Sequence, residues 1–234
     1  MSETRSYYGR PVLKEPVWKD EIALYFFTGG LGGASSVLSL VARATGHERL
    51  AQRSIQIASA ADAVSPPLLI ADLGRPERFL NMLRVFKVTS PMSVGSWILA
   101  YSSSASSVSA FLNTIGRLPR VADLARMASA VSGAPLAVYT ATLISNTAIP
   151  VWHEARRELP FLFASSAAAS AGAASAIAVR PADAGPARRL AVGSVLVENA
   201  VMLAMEKRLG LVGEPYRQGE AGRFNRIAKA CTLG

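Results

Sequence analysis

The chain is poor in the residues that hold metals and prosthetic groups. Its 234 residues include one cysteine, Cys231, and two histidines, His47 and His153. A single cysteine excludes an intrachain disulfide and any iron–sulfur cluster held by this chain alone, since clusters need several thiolates. The two histidines fall in predicted loops on opposite sides of a membrane, so they cannot jointly ligate a b-type haem. We therefore expect no metal, haem or iron–sulfur cluster in this chain.

Charge is scarce as well. Only 18% of the residues are charged, half are hydrophobic, and the mean hydropathy is +0.27, a combination typical of membrane proteins. Four uncharged runs are long enough to cross a hydrocarbon core of about 30 Å as helices. Two shorter runs, residues 54–71 and 190–205, each contain one acid. We predict an all-α integral membrane protein with about six transmembrane helices, the uncharged ones being residues 22–42, 92–116, 127–151 and 159–179.

Alternation of six spans gives the two sides of the membrane unequal positive charge. The side that holds the N-terminus carries 16 of the lysines and arginines, and the other side carries nine. The positive-inside rule then predicts a cytoplasmic N-terminus. Topology signals and lipid headgroups account for the net charge of +9, and there is no soluble basic module for a nucleic acid partner.

Polar, aromatic and proline-rich segments converge on that same side. They are residues 16–27, 72–76, 89–97 and 139–152. Each aromatic residue alone has the ordinary role of an interfacial anchor, and each proline that of a helix boundary. Their coincidence at one membrane boundary predicts a functional site. In the first span, Gly29 and Gly33 have the spacing that lets helices approach closely.

Two acids fall inside predicted spans, where ionisable side chains are costly. Asp62 lies near the middle of its span, whereas the short run around Glu198 would place that residue nearer an interface. Each acid has two open interpretations. It is either a protonated, hydrogen-bonded packing group or a step in a proton path.

Three stretches carry a family resemblance: "YYGRPVLKEPVWKDEIALYFFTGGLGG", "SPPLLIADLGRPERFLNMLRVFKVTSPMSVGSW" and "YTATLISNTAIPVWHEARRELPFLFASSAAASAG". They resemble the NrfD, or polysulfide reductase membrane-subunit, family. The most specific part is "DLGRP" followed, after a short basic stretch, by "TSPMSVGSW". The resemblance implies a quinone-binding anchor subunit of a respiratory oxidoreductase in a bacterial inner membrane. It also implies menaquinone or ubiquinone as the bound quinone, a ferredoxin-like [4Fe–4S] subunit as partner, and a molybdopterin catalytic subunit.

The resemblance also suggests site residues. Tyr139 looks like the tyrosine that borders the quinone headgroup, and Tyr25 occupies a position where the polysulfide reductase branch has histidine. Asp72 and Arg75 lie beside this region by topology. The residues expected to meet the partner subunit share the same boundary: Trp18, Arg78, Arg84 and Lys87.

This interpretation divides the chain into four parts. Residues 1–21 face the partner, 22–152 form a four-helix bundle with the quinone site, 153–207 begin a second bundle, and 208–234 form a basic tail. Family members generally have two further spans beyond the position of Gly234, so we expect a chain that lacks them.

Two other functions remain open at this stage. A small transporter is compatible with six spans, with intramembrane Asp62 and with a helix break at Pro66 and Pro67, although no inverted repeat is evident. A purely structural membrane anchor, in which Tyr139 contacts only lipid, is the second.

Overall fold

The computed structural model describes residues 20–72, 77 and 79–233. Within these ranges six helices have 20 or more residues: α1 Asp20–Ala44, α2 Glu48–Asp72, α4 Pro91–Ile115, α5 Pro119–Ser145, α7 Leu159–Ala178 and α8 Gly185–Leu209. Two short helices, α3 Phe79–Met82 and α6 Pro150–Glu154, lie in connections. A 3₁₀ segment, Gly210–Tyr216, leads to a last helix, α9 Gly219–Leu233.

Four of the long helices are long and apolar enough to cross a membrane: α1, α2, α5 and α7. In α4, serines lower the apolarity, and in α8 charged residues near both ends do so. Serine is tolerated in α4 because its hydroxyl can donate to a carbonyl one turn back, as Ser96 does to Met92 at 2.8 Å. The prediction of an all-helical membrane protein is confirmed, with the six long helices at the six predicted spans.

The boundaries of α5 differ from the prediction. The helix begins at Pro119 rather than at residue 127, and it ends at Ser145 rather than at residue 151. Its first two turns include Asp123 and Arg126, which the charge pattern assigned to a loop. Arg126 is nonetheless buried, because Ser39 and Asn113 accept hydrogen bonds from its guanidinium at 3.1 and 3.0 Å.

Helix α1 lies at the centre of the bundle and packs against α2, α5 and α7, while α4 pairs with α5 and α8 with α7. The closest crossing is between α1 and α5. A Cβ on Gly33 would collide with the carbonyl oxygen of Gly133, and one on Gly133 would lie 2.7 Å from that of Gly33. The predicted close approach is confirmed for Gly33, whereas Gly29 has only Tyr25 of its own helix nearby.

The ends of α1, α2, α4 and α5 that carry the described parts of the four convergent segments meet at one end of the bundle, while residues 16–19 and 73–76 lie outside the described residues. Ile22 near the start of α1, Leu69 near the end of α2 and Leu99 near the start of α4 belong to one buried apolar cluster. Next to it, a second cluster joins the end of α5 to the start of α7 and the end of α8. His153 lies at this end and His47 at the other, in the turn between α1 and α2.

A salt bridge fastens this end. The Arg208 guanidinium, at the end of α8, donates to the two carboxylate oxygens of Glu158 at 2.5 and 2.7 Å, and it also donates to the carbonyl of Glu154. The hydrogen bond from Arg208 holds the pKa of the Glu158 carboxyl below its ordinary value of 4.5. This salt bridge therefore connects the end of α8 to the segment that precedes α7.

We expect Glu158→Gln to lower the midpoint of thermal unfolding by about 2–4 °C. This is the shift that a loss of about 1 kcal/mol in the free energy of unfolding produces in a chain of this size. A carboxyl whose pKa is depressed by folding contributes stability above its unfolded pKa and loses it as pH falls through the folded value. The difference between the two proteins should thus be constant above about pH 4.5 and shrink below it. Differential scanning fluorimetry in detergent measures both.

The control for this prediction is Glu154→Gln. Its carboxylate pairs with Arg156 at 3.8 Å and both side chains are about half exposed, so the midpoint should barely move. Equal shifts in the two variants would contradict the assignment.

Candidate functional site

Two tyrosines from different helices meet inside the bundle. The hydroxyl oxygens of Tyr25 on α1 and Tyr139 on α5 lie 2.6 Å apart, a short hydrogen bond. Tyr25 is completely buried and Tyr139 is partly buried. They are separated by 114 positions in the chain. The antiparallel packing of α1 on α5 brings the start of one helix beside the end of the other.

Gly95 on α4 makes the room for Tyr139. A Cβ at this position would collide with the tyrosine ring. The preceding residues fix where α4 starts: Pro91 occupies its first turn, and the Ser90 hydroxyl accepts a hydrogen bond from the amide of Ser93 at 3.4 Å. The motif "TSPMSVGSW" thus places a glycine one turn into α4, against the phenol.

The surroundings of the pair are apolar. Tyr25 belongs to a buried apolar cluster with Ile22 of its own helix and with one leucine from each of three neighbouring helices: Leu69 of α2, Leu99 of α4 and Leu136 of α5. A phenol has one O–H donor and can also accept. In a pair, one O–H is used between the two oxygens, so the second remains able to donate to a third group. That spare donor suits a carbonyl oxygen.

Asp62 lies deeper in the bundle, where α2 faces α1 and α4. It is completely buried. One carboxylate oxygen, Oδ2, accepts hydrogen bonds from Ser106 at 2.8 Å and Ser102 at 3.3 Å. The other, Oδ1, accepts no hydrogen bond from the described residues and lies against Gly32, where a Cβ would collide with it.

The prolines of α2 explain a further contact with Asp62. Pro66 and Pro67 lie within α2 and do not end it, so the helix break considered above does not occur. Pro66 has no N–H, which leaves the carbonyl four residues earlier, that of Asp62, without its helical partner. The Ser103 hydroxyl of α4 donates to that carbonyl at 3.2 Å. Both the backbone and the side chain of Asp62 are therefore held by serines of α4.

Two hydroxyls lie between the acid and the tyrosines. The Ser65 hydroxyl, one turn after Asp62, donates to the Thr28 hydroxyl at 2.8 Å. Thr28 in turn donates to the carbonyl of Tyr25 at 3.4 Å. The Ser65 hydroxyl is also 2.9 Å from the carbonyl of Ala61, and among the described residues no hydrogen bond joins either hydroxyl to the Asp62 carboxylate or to a phenol oxygen.

The remaining predicted residues are dispersed. Asp72 ends α2 at the same side of the bundle, and Arg84 and Lys87 are exposed in the connection between α3 and α4. Trp18, Arg75 and Arg78 lie outside the described residues. Among the described residues, the structure brings Tyr25 and Tyr139 together and places Asp62 on the neighbouring α2, with its own serine partners on α4.

Glu198 is placed differently from the prediction. Helix α8 runs from Gly185 to Leu209, longer than the uncharged run at its centre, so Glu198 lies near its middle rather than near an interface. The carboxylate lines, together with Ser166 of α7, a pocket between α1, α5, α7 and α8. This pocket is not lined by Tyr25 or Tyr139.

Sequence reasoning missed Gly95 and Arg126. Arg126 is 2% exposed, and its Nε atom has no hydrogen-bond partner in the part of the chain that the structure describes. Asp123, which approaches it at 3.8 Å, also pairs with Arg43 at 3.0 Å. The spacing of Asp123 and Arg126, one turn apart, was the available signal. No group of three or more histidine, cysteine, aspartate or glutamate side chains gathers as a metal site among residues 20–72, 77 and 79–233.

A double-mutant cycle tests the tyrosine pair. A buried neutral hydrogen bond contributes about 1 kcal/mol, so Tyr25→Phe and Tyr139→Phe should show a coupling of about that size in the free energy of unfolding. Reversible denaturation in mixed micelles measures it.

The matched control combines Tyr25→Phe with Tyr101→Phe. Tyr101 on α4 is 57% exposed, and this pair should be additive. Additivity of Tyr25 and Tyr139 as well would show that the two phenols do not interact.

Comparison with known proteins is consistent with this architecture. The chain matches the model of one protein family, described as polysulphide reductase, NrfD, over residues 13–218. Proteins of that family are membrane subunits of respiratory oxidoreductases and work with other subunits of those complexes. No curated protein matches the chain.

Proposed function

The chain belongs to the NrfD polysulphide reductase family, and from that premise we propose that it binds quinone as the membrane subunit of a respiratory oxidoreductase. It exchanges electrons between a ferredoxin-like [4Fe–4S] subunit, itself joined to a molybdopterin catalytic subunit, and menaquinone or ubiquinone in the bilayer. Its location is the bacterial inner membrane, with the N-terminus in the cytoplasm.

The observation that carries this proposal is the hydrogen bond between Tyr25 and Tyr139. The phenol O–H that this hydrogen bond does not use lies in apolar surroundings beside Gly95. Binding sites for small lipophilic molecules have this character, with apolar walls and few polar groups that fix orientation. In the proposed complex, Tyr139 donates to a quinone carbonyl and Tyr25 holds the Tyr139 hydroxyl in place.

The docking surface is proposed for the same end of the bundle. Arg84 and Lys87 are exposed there, and the basic residues Arg75 and Arg78 precede them in sequence. Positive charge on this surface favours an acidic partner through long-range attraction. Asp72 and Arg75 would then border both the quinone site and the partner, with Trp18 nearby in the N-terminal segment.

The quinone, the partner's clusters and the chain itself have different roles in the proposed reaction. Quinone supplies the redox chemistry, taking up two electrons and two protons on reduction, while clusters in the partner deliver or remove the electrons. The chain itself holds and orients the ring. Asp62, the buried acid of α2, is the residue proposed to exchange protons with the site.

Purification in mild detergent tests the assembly. We expect the tagged chain to bring down an iron–sulfur protein, a molybdenum protein and quinone, measurable as iron, molybdenum and extracted quinone in the eluate. Tyr139→Phe should retain both proteins and weaken quinone binding about three- to tenfold, the effect of losing one neutral hydrogen bond.

Tyr101→Phe, at an exposed position on α4, is the control and should bind quinone normally. Unchanged quinone binding in Tyr139→Phe would remove the tyrosine pair from the site. A wild-type chain that binds its partners but no quinone would instead be a structural anchor.

A second prediction concerns Asp62. In the complex reconstituted into liposomes, Asp62→Asn should slow turnover with quinone by tenfold or more, the scale of a lost acid–base group, and leave quinone affinity unchanged. Stopped-flow absorbance of the quinone measures the rate. Glu220→Gln, at an exposed acid on α9, should turn over at the wild-type rate. Normal turnover in Asp62→Asn would restrict the acid to packing.

A further inference from the structure

A pocket of about 280 Å³ lies between α1, α5, α7 and α8, apart from the tyrosine pair. Phe26 and Phe163 form an aromatic wall, with ring centroids 5.9 Å apart in an edge-to-face contact. Gly30 lies at the base, where a Cβ would approach Ala167 to 3.3 Å. The polar side consists of Ser166, Ser170 and Glu198.

Glu198 is the unusual member of this set. Ionisable side chains within membrane segments are costly and mark functional sites by default. Among the described residues Glu198 forms no ion pair, and Ser166 is the hydroxyl beside it in the pocket. One hydroxyl leaves most of the acceptor capacity of a carboxylate unused. The pocket therefore presents a strong acceptor beside an aromatic surface.

The distance of the pocket from the helix ends limits which molecules can bind there. Ser166 lies seven residues into α7 and Phe26 lies six residues into α1, so the pocket is about 10 Å along these helices from their ends. Charged phospholipid headgroups stay at the interface, and acyl chains offer no hydrogen bond to Glu198. The volume is near the lower end of the range for small-molecule sites, about 300–1,000 Å³. A ring-sized, lipid-soluble molecule with a hydroxyl group fits these limits.

We propose that this pocket is a second site for the headgroup of quinol, with its ring against Phe26 and Phe163 and a hydroxyl donating to Glu198. The proposal rests on the proposed function and adds a site to it. The two sites are neighbours on adjacent faces of α1, since consecutive residues of a helix point about 100° apart. The Tyr25 hydroxyl meets Tyr139 of α5, whereas the Phe26 ring, whose centroid is 6.1 Å from that of Tyr25, contacts Phe163 of α7.

The experiment uses the full chain in nanodiscs of phosphatidylethanolamine and phosphatidylglycerol, free of quinone. A photoreactive azidoquinone with a short isoprenoid tail, reduced to its quinol before irradiation, is the probe. We expect label in peptides from α7 and α8 in addition to peptides with Tyr25 and Tyr139. Glu198→Gln should raise the probe concentration needed for half-maximal labelling of α7 and α8 about tenfold.

A second variant fills the pocket without touching the acid. Ser170→Trp should abolish label in α7 and α8, while Ile177→Trp, at a position on α7 that is 87% exposed, should not. Glu220→Gln, at an exposed acid on α9, also removes one negative charge and is the control for Glu198→Gln. It should leave the labelling of α7 and α8 unchanged. Tyr139→Phe should weaken label at the tyrosine pair and leave that at α7 and α8.

The outcomes separate this inference from the proposed function. Label confined to Tyr25 and Tyr139, unaffected by Glu198→Gln and Ser170→Trp, would overturn the second site and leave the first. Label in α7 that Glu198→Gln does not change and that added phospholipid displaces would identify an acyl-chain groove and also overturn it. No label in any peptide would overturn both.

Discussion

The backbone contact between Gly33 of α1 and Gly133 of α5 determines where the polar groups of this bundle meet. Side chains at either position would push the helices apart, because each faces the other's carbonyl. With the crossing fixed there, the ends of α1 and α5 on one side hold Tyr25 against Tyr139. On the other side the same two helices hold Ser36 against Ser129 at 2.7 Å. Close packing at the crossing thus sets the geometry on both sides of it.

Serine makes such packing compatible with buried charge. Small hydroxyl side chains let helices approach closely and still supply donors. Ser102 and Ser106 satisfy one oxygen of Asp62, and Ser39 accepts from Arg126 while donating to the carbonyl of Ala51 at 2.7 Å. The bundle keeps two ionisable groups inside its core with hydroxyl partners for each. Larger apolar residues at the serine positions would leave the Asp62 carboxylate without its partners, at a cost of about 1–3 kcal/mol or more, and would leave Arg126 with Asn113 alone as its hydrogen-bond acceptor.

The sequence predicted the helices and the end of the bundle where Tyr25 and Tyr139 meet, because apolar runs and their alternation carry that information. It failed where a charge is buried by distant partners. Arg126 looked like a loop residue, since its acceptors Ser39 and Asn113 come from other helices. Glu198 looked interfacial because flanking charges shortened the uncharged run, although α8 continues through them. The role of Gly95 required knowing that α4 faces a tyrosine of α5.

Pro66 has a mechanical consequence. The missing amide opens one rung of the α2 hydrogen-bond ladder, and the Ser103 hydroxyl on α4 closes it at the carbonyl of Asp62. A helix with an open rung bends more easily at that point. Here the group that replaces the missing amide, the Ser103 hydroxyl, belongs to another helix, α4. The residue that carries the buried carboxylate is thus attached to α4 at the point where α2 lacks its own backbone hydrogen bond, so its position depends on α4 as well as on α2.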